Sequence, residues 1–445
     1  MKALRIALLW VIISPIQAQT HQDYYTLIQE VSQERLRKDV TQLVEFGTRH
    51  TLSDTLSNVR GIGAARRWIK SEFERISDQC GGCLKVQYQK NYVPANSQRI
   101  PKPVWINNVV AILPGTKYPN RYVVISGDID SRVTDVNNYQ DDSPGANDNA
   151  TGVAAALEAA RVMSKYRFEN SIVFAALSGE EQGLFGGKGL AQYAKDQGWE
   201  IIGVLNNDMI GNTAGIDGVI DNRSFRIFSE PTPPTETERQ RKSRRFYGGE
   251  VDGNSRQLAR YIHKTVKTYM PEMNPMMIYR LDRFGRGGHH RPFNDVGFAG
   301  VRIMEAHENY NRQHQDLRVE NGIAYGDVLE GVDFEYVTKL TAVNIINLAA
   351  LGWAPPSVKN LRIGGGVQPS TILRWETVDD PNIEGYTVYW RDTTSPTWDH
   401  KKYVGQVNET TLEGIVVDNF FFGVATRYSN GTESPVVFPS AVFWE

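Results

Sequence analysis

From Asn108 onward the chain alternates short β-branched apolar runs with amphipathic stretches of helical period, and few folds accommodate that alternation. Strands are expected at 109–113, 122–126, 172–177, 201–205 and 300–304, and helices at 152–165, 186–196, 255–270 and 333–351. Two helical patterns precede them, near 22–46 and 60–76. Repeated strand and helix predict an α/β fold, a mostly parallel mixed sheet with helices on both faces.

In such a sheet, ligands collect beyond the carboxyl ends of the strands. Acids stand there. Asp128 and Asp130 follow the strand at 122–126, Glu180 and Glu181 follow 172–177, and Asp208 follows 201–205. Asp148 lies in the turn Pro-Gly-Ala-Asn-Asp-Asn-Ala-Thr-Gly that opens the helix at 152. Helix capping accounts for Asp148 taken singly. It does not account for a whole set of carboxylates, which would repel one another at one sheet edge unless cations were present. Two divalent ions relieve the repulsion, and an acid beside them can take a proton from water.

Composition narrows the partners. Lys+Arg 49 against Asp+Glu 51 gives a net charge of -2, which disfavours nucleic acid. With 2 cysteines among 445 residues, a metal must be held by carboxylates and some of the 8 histidines. Lys2 and Arg5, the apolar run to Ile13 and the small Ala18 form an export signal pattern, read as residues 1–18 and too short for a membrane-spanning helix. No later segment is apolar enough to span a bilayer. An exported protein is expected to join Cys80 and Cys83 in a tight disulfide, in the periplasm or outside the cell.

Residues 212–250, with three prolines and a basic run from Arg239 to Arg245, read as a structureless surface insertion near the site mouth. Ala354-Pro355-Pro356-Ser357 marks a linker. Beyond it, short alternating strands recur, predicting a β-sandwich over 356–445 after a catalytic domain at 19–353. That last segment resembles a fibronectin type III domain, with Trp375 as its buried tryptophan.

The strings PGANDNATG and LSGEEQG, then NND, then His314 in NRQHQD, resemble the co-catalytic zinc aminopeptidase family over residues 25–352. Its members include bacterial leucine aminopeptidases, glutamate carboxypeptidases and glutaminyl cyclases. The resemblance implies two metal ions, most simply zinc. It makes Asp148 the bridging ligand, Glu181 and His314 ligands of one metal, Asp208 a ligand of the other, Glu180 the general base and Asp130 the acid that orients the first ligand. It also implies hydrolysis of the N-terminal residue of peptides with a free N-terminus.

The chain departs from the family twice. Where the pattern has Gly-His-x-Asp, this sequence has Gly127-Asp128-Ile129-Asp130, and where it has Asp-His-x-Pro-Phe, this sequence has His289-His290-Arg291-Pro292-Phe293. Asp128 as a ligand makes the centre more acidic, favouring harder ions such as manganese, or a single metal. Arg286, in a glycine-rich run, is a candidate oxyanion donor alongside a plain turn. The rival readings are a glutaminyl cyclase on the same fold and a non-catalytic peptide-binding or adhesion protein. A helical zincin motif is excluded, because His307-Glu308 is followed by Asn311 rather than histidine.

Overall fold

The computed structural model describes residues 15–96, 98–247 and 252–444, with side chains omitted for 15–21 and 246–247. Most of the export segment expected at 1–18 therefore lies outside the described residues.

Eight strands form the main sheet: β1 (Lys85–Val93), β2 (Val104–Leu113), β3 (Tyr118–Asp128), β4 (Asn170–Leu177), β5 (Glu200–Asn207), β6 (Ser224–Ser229), β7 (Asn274–Ile278) and β8 (Gly300–Glu305). Their order is β1-β2-β4-β3-β5-β8-β6-β7. The centre, β4-β3-β5-β8, is parallel, while β1, β2 and β6 introduce antiparallel pairs. The expected α/β sheet is present, with more antiparallel edge than the sequence revealed.

Nine helices accompany it among the described residues: α1 (Pro15–Gln29), α2 (Gln33–Glu45), α3 (Gly61–Gln79), α4 (Thr151–Met163), α5 (Phe185–Asp196), α6 (Glu238–Tyr247), α7 (Asn254–Tyr269), α8 (His290–Asp295) and α9 (Phe334–Trp353). Side-chain alternation along the strands sorts them into two layers. Val123 and Ile125 of β3 face the core shared with α1, α2, α3, α4, α7 and α9. Val124 faces the other way, onto Leu190, Ala191 and Ala194 of α5 and Phe293 of α8. Small residues let α4 and α9 sit close to the sheet. A Cβ on Gly127 would lie 2.2 Å from the Gly152 backbone, so the end of β3 and the start of α4 touch.

Three expectations change. The single helical pattern at 22–46 is two helices, because Ser32 caps α2 by accepting from the Arg35 amide and its own amide donates to Glu158. The supposedly structureless insertion at 212–250 holds β6 and α6, the second carried by a basic, polar sequence with little apolar periodicity to signal it. Edge strands β1 and β7 were unread, since partly exposed strands lack a continuous apolar run.

Cys80 and Cys83 are disulfide-bonded after α3. No helix among the described residues is long and apolar enough to cross a membrane. Residues from Lys359 onward form a four-stranded and a three-stranded sheet around Leu361, Leu373, Trp375, Tyr386 and Phe422. This unit is tied to the α/β layers by buried charge. Arg391 donates to both oxygens of Asp252 (2.8 and 3.0 Å), which also pairs with Arg260 of α7 at 2.7 Å. Asp380 accepts from Lys117 Nζ and from the Tyr118 and Tyr428 hydroxyls, each at 2.5 Å.

Candidate metal centre

Three adjacent parallel strands, β4, β3 and β5, end side by side, and the acids stand at or just beyond their last residues. Asp148 arrives from the turn before α4. The Asp327 carboxylate holds that turn by accepting from the amides of Asn147 (2.9 and 3.1 Å) and Asp148 (2.7 Å). Beneath it, the buried Arg49 guanidinium donates to the carbonyls of Leu43, Ile129, Pro144 and Gly145. One cation therefore ties the turn to the chain just beyond β3.

Asp148, Glu181 and His314 converge, and their ligand atoms all lie within 4.8 Å of one another. His314 Nε2 is 2.9 Å from Asp148 Oδ2 and 3.0 Å from Glu181 Oε1. Two carboxylate oxygens and an imidazole nitrogen are a donor set that suits zinc and similar divalent ions. Arg132 lies behind this set, donating to Glu181 Oε2 (2.8 Å), with its Nη2 2.6 Å from His314 Nδ1. Ligation through Nε2 moves the ring proton to Nδ1, so Arg132 must then give up its second contact.

The electrostatics follow the same geometry. Burial pushes His314 down, but Glu181 and Asp148 outweigh it and hold the imidazole up at about 9. Burial pushes Asp148 up, yet His314, with Arg283 and Arg286, holds that carboxyl below the usual range. Glu180 shifts the other way. Burial and then the charges of Glu181, Asp208, Asp128 and Asp130 push its carboxyl well above the ordinary value.

Asp130, the orienting acid of the resemblance, makes its hydrogen bonds to the turn at Glu180 and to Thr51. It accepts from the Glu180 amide (3.1 Å), the Glu181 amide (3.0 Å) and the Thr51 hydroxyl (3.1 Å), so it shapes the turn that presents both glutamates. Asp128 accepts from the Asn149 amide nitrogen at 2.7 Å, and its other oxygen is 2.5 Å from His289 Nδ1. Burial, opposed by Asn149 and reinforced by Asp148, lifts Asp128 to about 8. Asp208 pairs with Arg302 at 2.9 Å, and burial nonetheless leaves it at about 7. Asp128 and Asp208 thus stand outside the three-donor group, each engaged by a neighbouring side chain.

Arg286 is partly exposed, 4.0 Å from Glu308, and its charge reaches Asp148. His307 pairs with Asp217 (2.9 Å), and Glu308 with Arg226 and Arg283, so the two serve separate surface and buried ion pairs. Arg49, Arg132, Arg302, Asn149 and Asp327 were not legible as site residues. Each is remote in sequence from the acids it holds or carries no motif of its own.

The sequence model of peptidase family M28 matches residues 108–321, the stretch that carries Asp128, Asp148, Glu181, Asp208 and His314. A probable zinc metalloprotease of Leptosphaeria maculans is 41% identical over 425 residues, covering 95% of this chain and 98% of the relative. The chain belongs to peptidase family M28. A second relative, a probable zinc metalloprotease of Pyrenophora teres f. teres, is 41% identical over 93% of this chain and 86% of its own length. In fold, this M28 peptidase is similar to the LapA aminopeptidase of Legionella pneumophila, with a TM-score of 0.55 at 17% identity, covering 78% of this chain and 79% of that one. A Macrostomum lignano glutaminyl cyclase has a TM-score of 0.50 at 14% identity, covering 78% and 95%. An aminopeptidase and a glutaminyl cyclase are thus both similar to it in fold.

Proposed function

We propose that this M28 peptidase is an exported zinc aminopeptidase that removes the N-terminal residue of peptides. The observation that carries the reading is the convergence of Asp148, Glu181 and His314 within 4.8 Å, with Glu180 adjacent in sequence and raised in pKa. Asp148, Glu181 and His314 would hold one zinc, and Asp128 and Asp208 would be the further acids for a second. Zinc supplies a Lewis acid that polarises the scissile carbonyl and makes water nucleophilic at neutral pH. Glu180 takes the water proton and returns it to the leaving amine. Asp130 holds the two glutamate amides, keeping Glu180 and Glu181 in their separate roles. Acidic side chains around the centre also suit a free α-amine, which is cationic.

The relatives named as zinc metalloproteases support zinc and proteolysis, and the aminopeptidase that shares the fold supports the exopeptidase form. The Cys80 to Cys83 disulfide supports export. The C-terminal pair of sheets, with Trp375 in its core, is read as a fibronectin type III-like unit.

The test is a panel of aminoacyl anilides, N-acetylated controls and glutaminyl peptides, assayed with and without zinc. Zinc-dependent release from free-amine substrates alone supports the reading. Pyroglutamate formation without hydrolysis makes the protein a cyclase, and inactivity at full zinc loading makes it a binding protein.

A further inference from the structure

The two positions that depart from the family pattern are in contact. His289 Nδ1 lies 2.5 Å from Asp128 Oδ1, although 161 residues separate them, and both side chains are buried, at 0% and 2% exposure. Asp128 terminates β3, and His289 immediately precedes α8. The second Asp128 oxygen accepts from Asn149, the residue after Asp148, and the same amide nitrogen donates to the Asn207 carbonyl at 2.6 Å. Each carboxylate oxygen is therefore fixed by one donor and keeps lone-pair capacity for another partner.

The imidazole has no second use among the described residues. Its Nε2 is buried without a hydrogen-bond partner, so Asp128 is its only side-chain polar contact. A Cβ at Gly187 would lie 2.7 Å from His289 Cδ2, so α5 leaves room for the ring only because residue 187 is glycine. A buried polar atom left unpaired is costly, which makes a ring inserted at this depth to touch one carboxylate hard to explain as packing.

We propose that His289 is a positioning residue. Its Nδ1–H holds Asp128 as a zinc-ligating carboxylate on the side of Asp148, so the two residues form one exchanged unit. In the family pattern the imidazole stands at the strand end and the acid at position 289; here the acid stands at the strand end with the imidazole behind it. The hydrogen bond between them is available in either arrangement, because each contains one donor ring and one acceptor carboxylate. A single exchange removes the pairing of imidazole with carboxylate: Asp128→His sets two imidazoles together, and His289→Asp sets two carboxyl groups together. This inference rests on the zinc reading above and adds to it the manner in which Asp128 is held.

The experiment measures zinc per chain and zinc affinity on the full-length protein, together with the absorption spectrum after cobalt substitution. The variants are Asp128→His, His289→Asp, their double exchange, His289→Asn and His314→Ala. Folding is followed by circular dichroism, and His289→Asn, which keeps an N–H donor, serves where His289→Asp does not fold. Each single exchange is expected to weaken zinc binding about 10- to 100-fold, the usual effect of losing a group that orients a ligand. The double exchange is expected to recover most of that loss and to shift the cobalt spectrum as an oxygen donor becomes nitrogen. His289→Asn is expected to bind better than His289→Asp. Zinc binding by His289→Asp equal to wild type, or a double exchange no better than the worse single, overturns the proposal while leaving the zinc reading intact. A wild-type protein that takes up no zinc overturns both, and that failure is visible before any variant is compared.

Discussion

Arg302 of β8 meets Asp208 at the end of β5, with Nη2 2.9 Å from Oδ1, and both side chains are buried. The same guanidinium donates to the Asp208 carbonyl and to both oxygens of Asp282, so one cation serves two buried carboxylates. Removing it takes the paired cation from Asp208 and leaves Asp282 with Arg283 at 3.5 Å. Arg302→Met is expected to destabilise the protein by about 3–5 kcal/mol in urea unfolding. A loss below about 1 kcal/mol, the range of a surface ion pair, would mean that the burial of this pair has been misread.

Glu180 is separable from the ligands. Glu180→Gln preserves shape and removes the proton acceptor, so zinc content is expected to stay at the wild-type level while kcat falls about 100- to 10,000-fold. Zinc lost in parallel with activity would make Glu180 a ligand instead of a base.

His314→Ala removes the imidazole shared by Asp148 and Glu181. Retained zinc measured after desalting is expected to fall by at least one ion per chain, and an unchanged content would exclude His314 from the centre.

The acidic centre also fixes a pH dependence. Without zinc, His314 at about 9 and Asp128 and Asp208 at about 8 and 7 all bind protons more tightly in the folded chain than their ordinary values allow. Groups raised on folding stabilise below their unfolded pKa and lose that contribution as pH rises through the folded value. The chelator-treated protein is therefore expected to lose thermal stability between pH 6 and pH 9. Zinc competes with those same protons, so its stabilising effect grows over the same interval. Scanning calorimetry at pH 6, 7.5 and 9 with EDTA or zinc checks both slopes, and a flat EDTA series would contradict them.

Asp252 anchors the C-terminal sheets through Arg260 and Arg391, each no more than 2% exposed. Asp252→Asn leaves two buried guanidinium groups without their acid, and a loss of about 3–5 kcal/mol is expected in denaturant unfolding. A separate early transition for the C-terminal sheets would show that this contact holds the two parts together.

Much of this was readable along the chain. The central strands and the helices after Asn108 were legible because burial on both faces writes continuous apolar runs and burial on one face writes a helical period. Asp148 and Glu181 were legible as candidates because they sit in one glycine-flanked turn and beyond a strand end, and His314 only through the family resemblance. The helix in the 212–250 insertion was not, since a basic helix has no apolar stripe to betray it. Nor was the part played by Asp130, whose hydrogen bonds go to the backbone amides of Glu180 and Glu181, 50 and 51 residues away.

What the sequence determined by itself was the class of fold and the presence of an acidic edge, because hydrophobic period and side-chain identity are local properties. Only the tertiary structure decided how each acid is held. Asp128 is in contact with His289, Asp208 with Arg302 and the Asp148 turn with Asp327, and such contacts depend on strand order and on how loops far apart in the chain fold back over the sheet. A carboxylate's charge is encoded in one residue. Its hydrogen-bond partner, and with it the pKa and the lone pair left for a metal, is set by whichever side chain the fold brings within 3 Å.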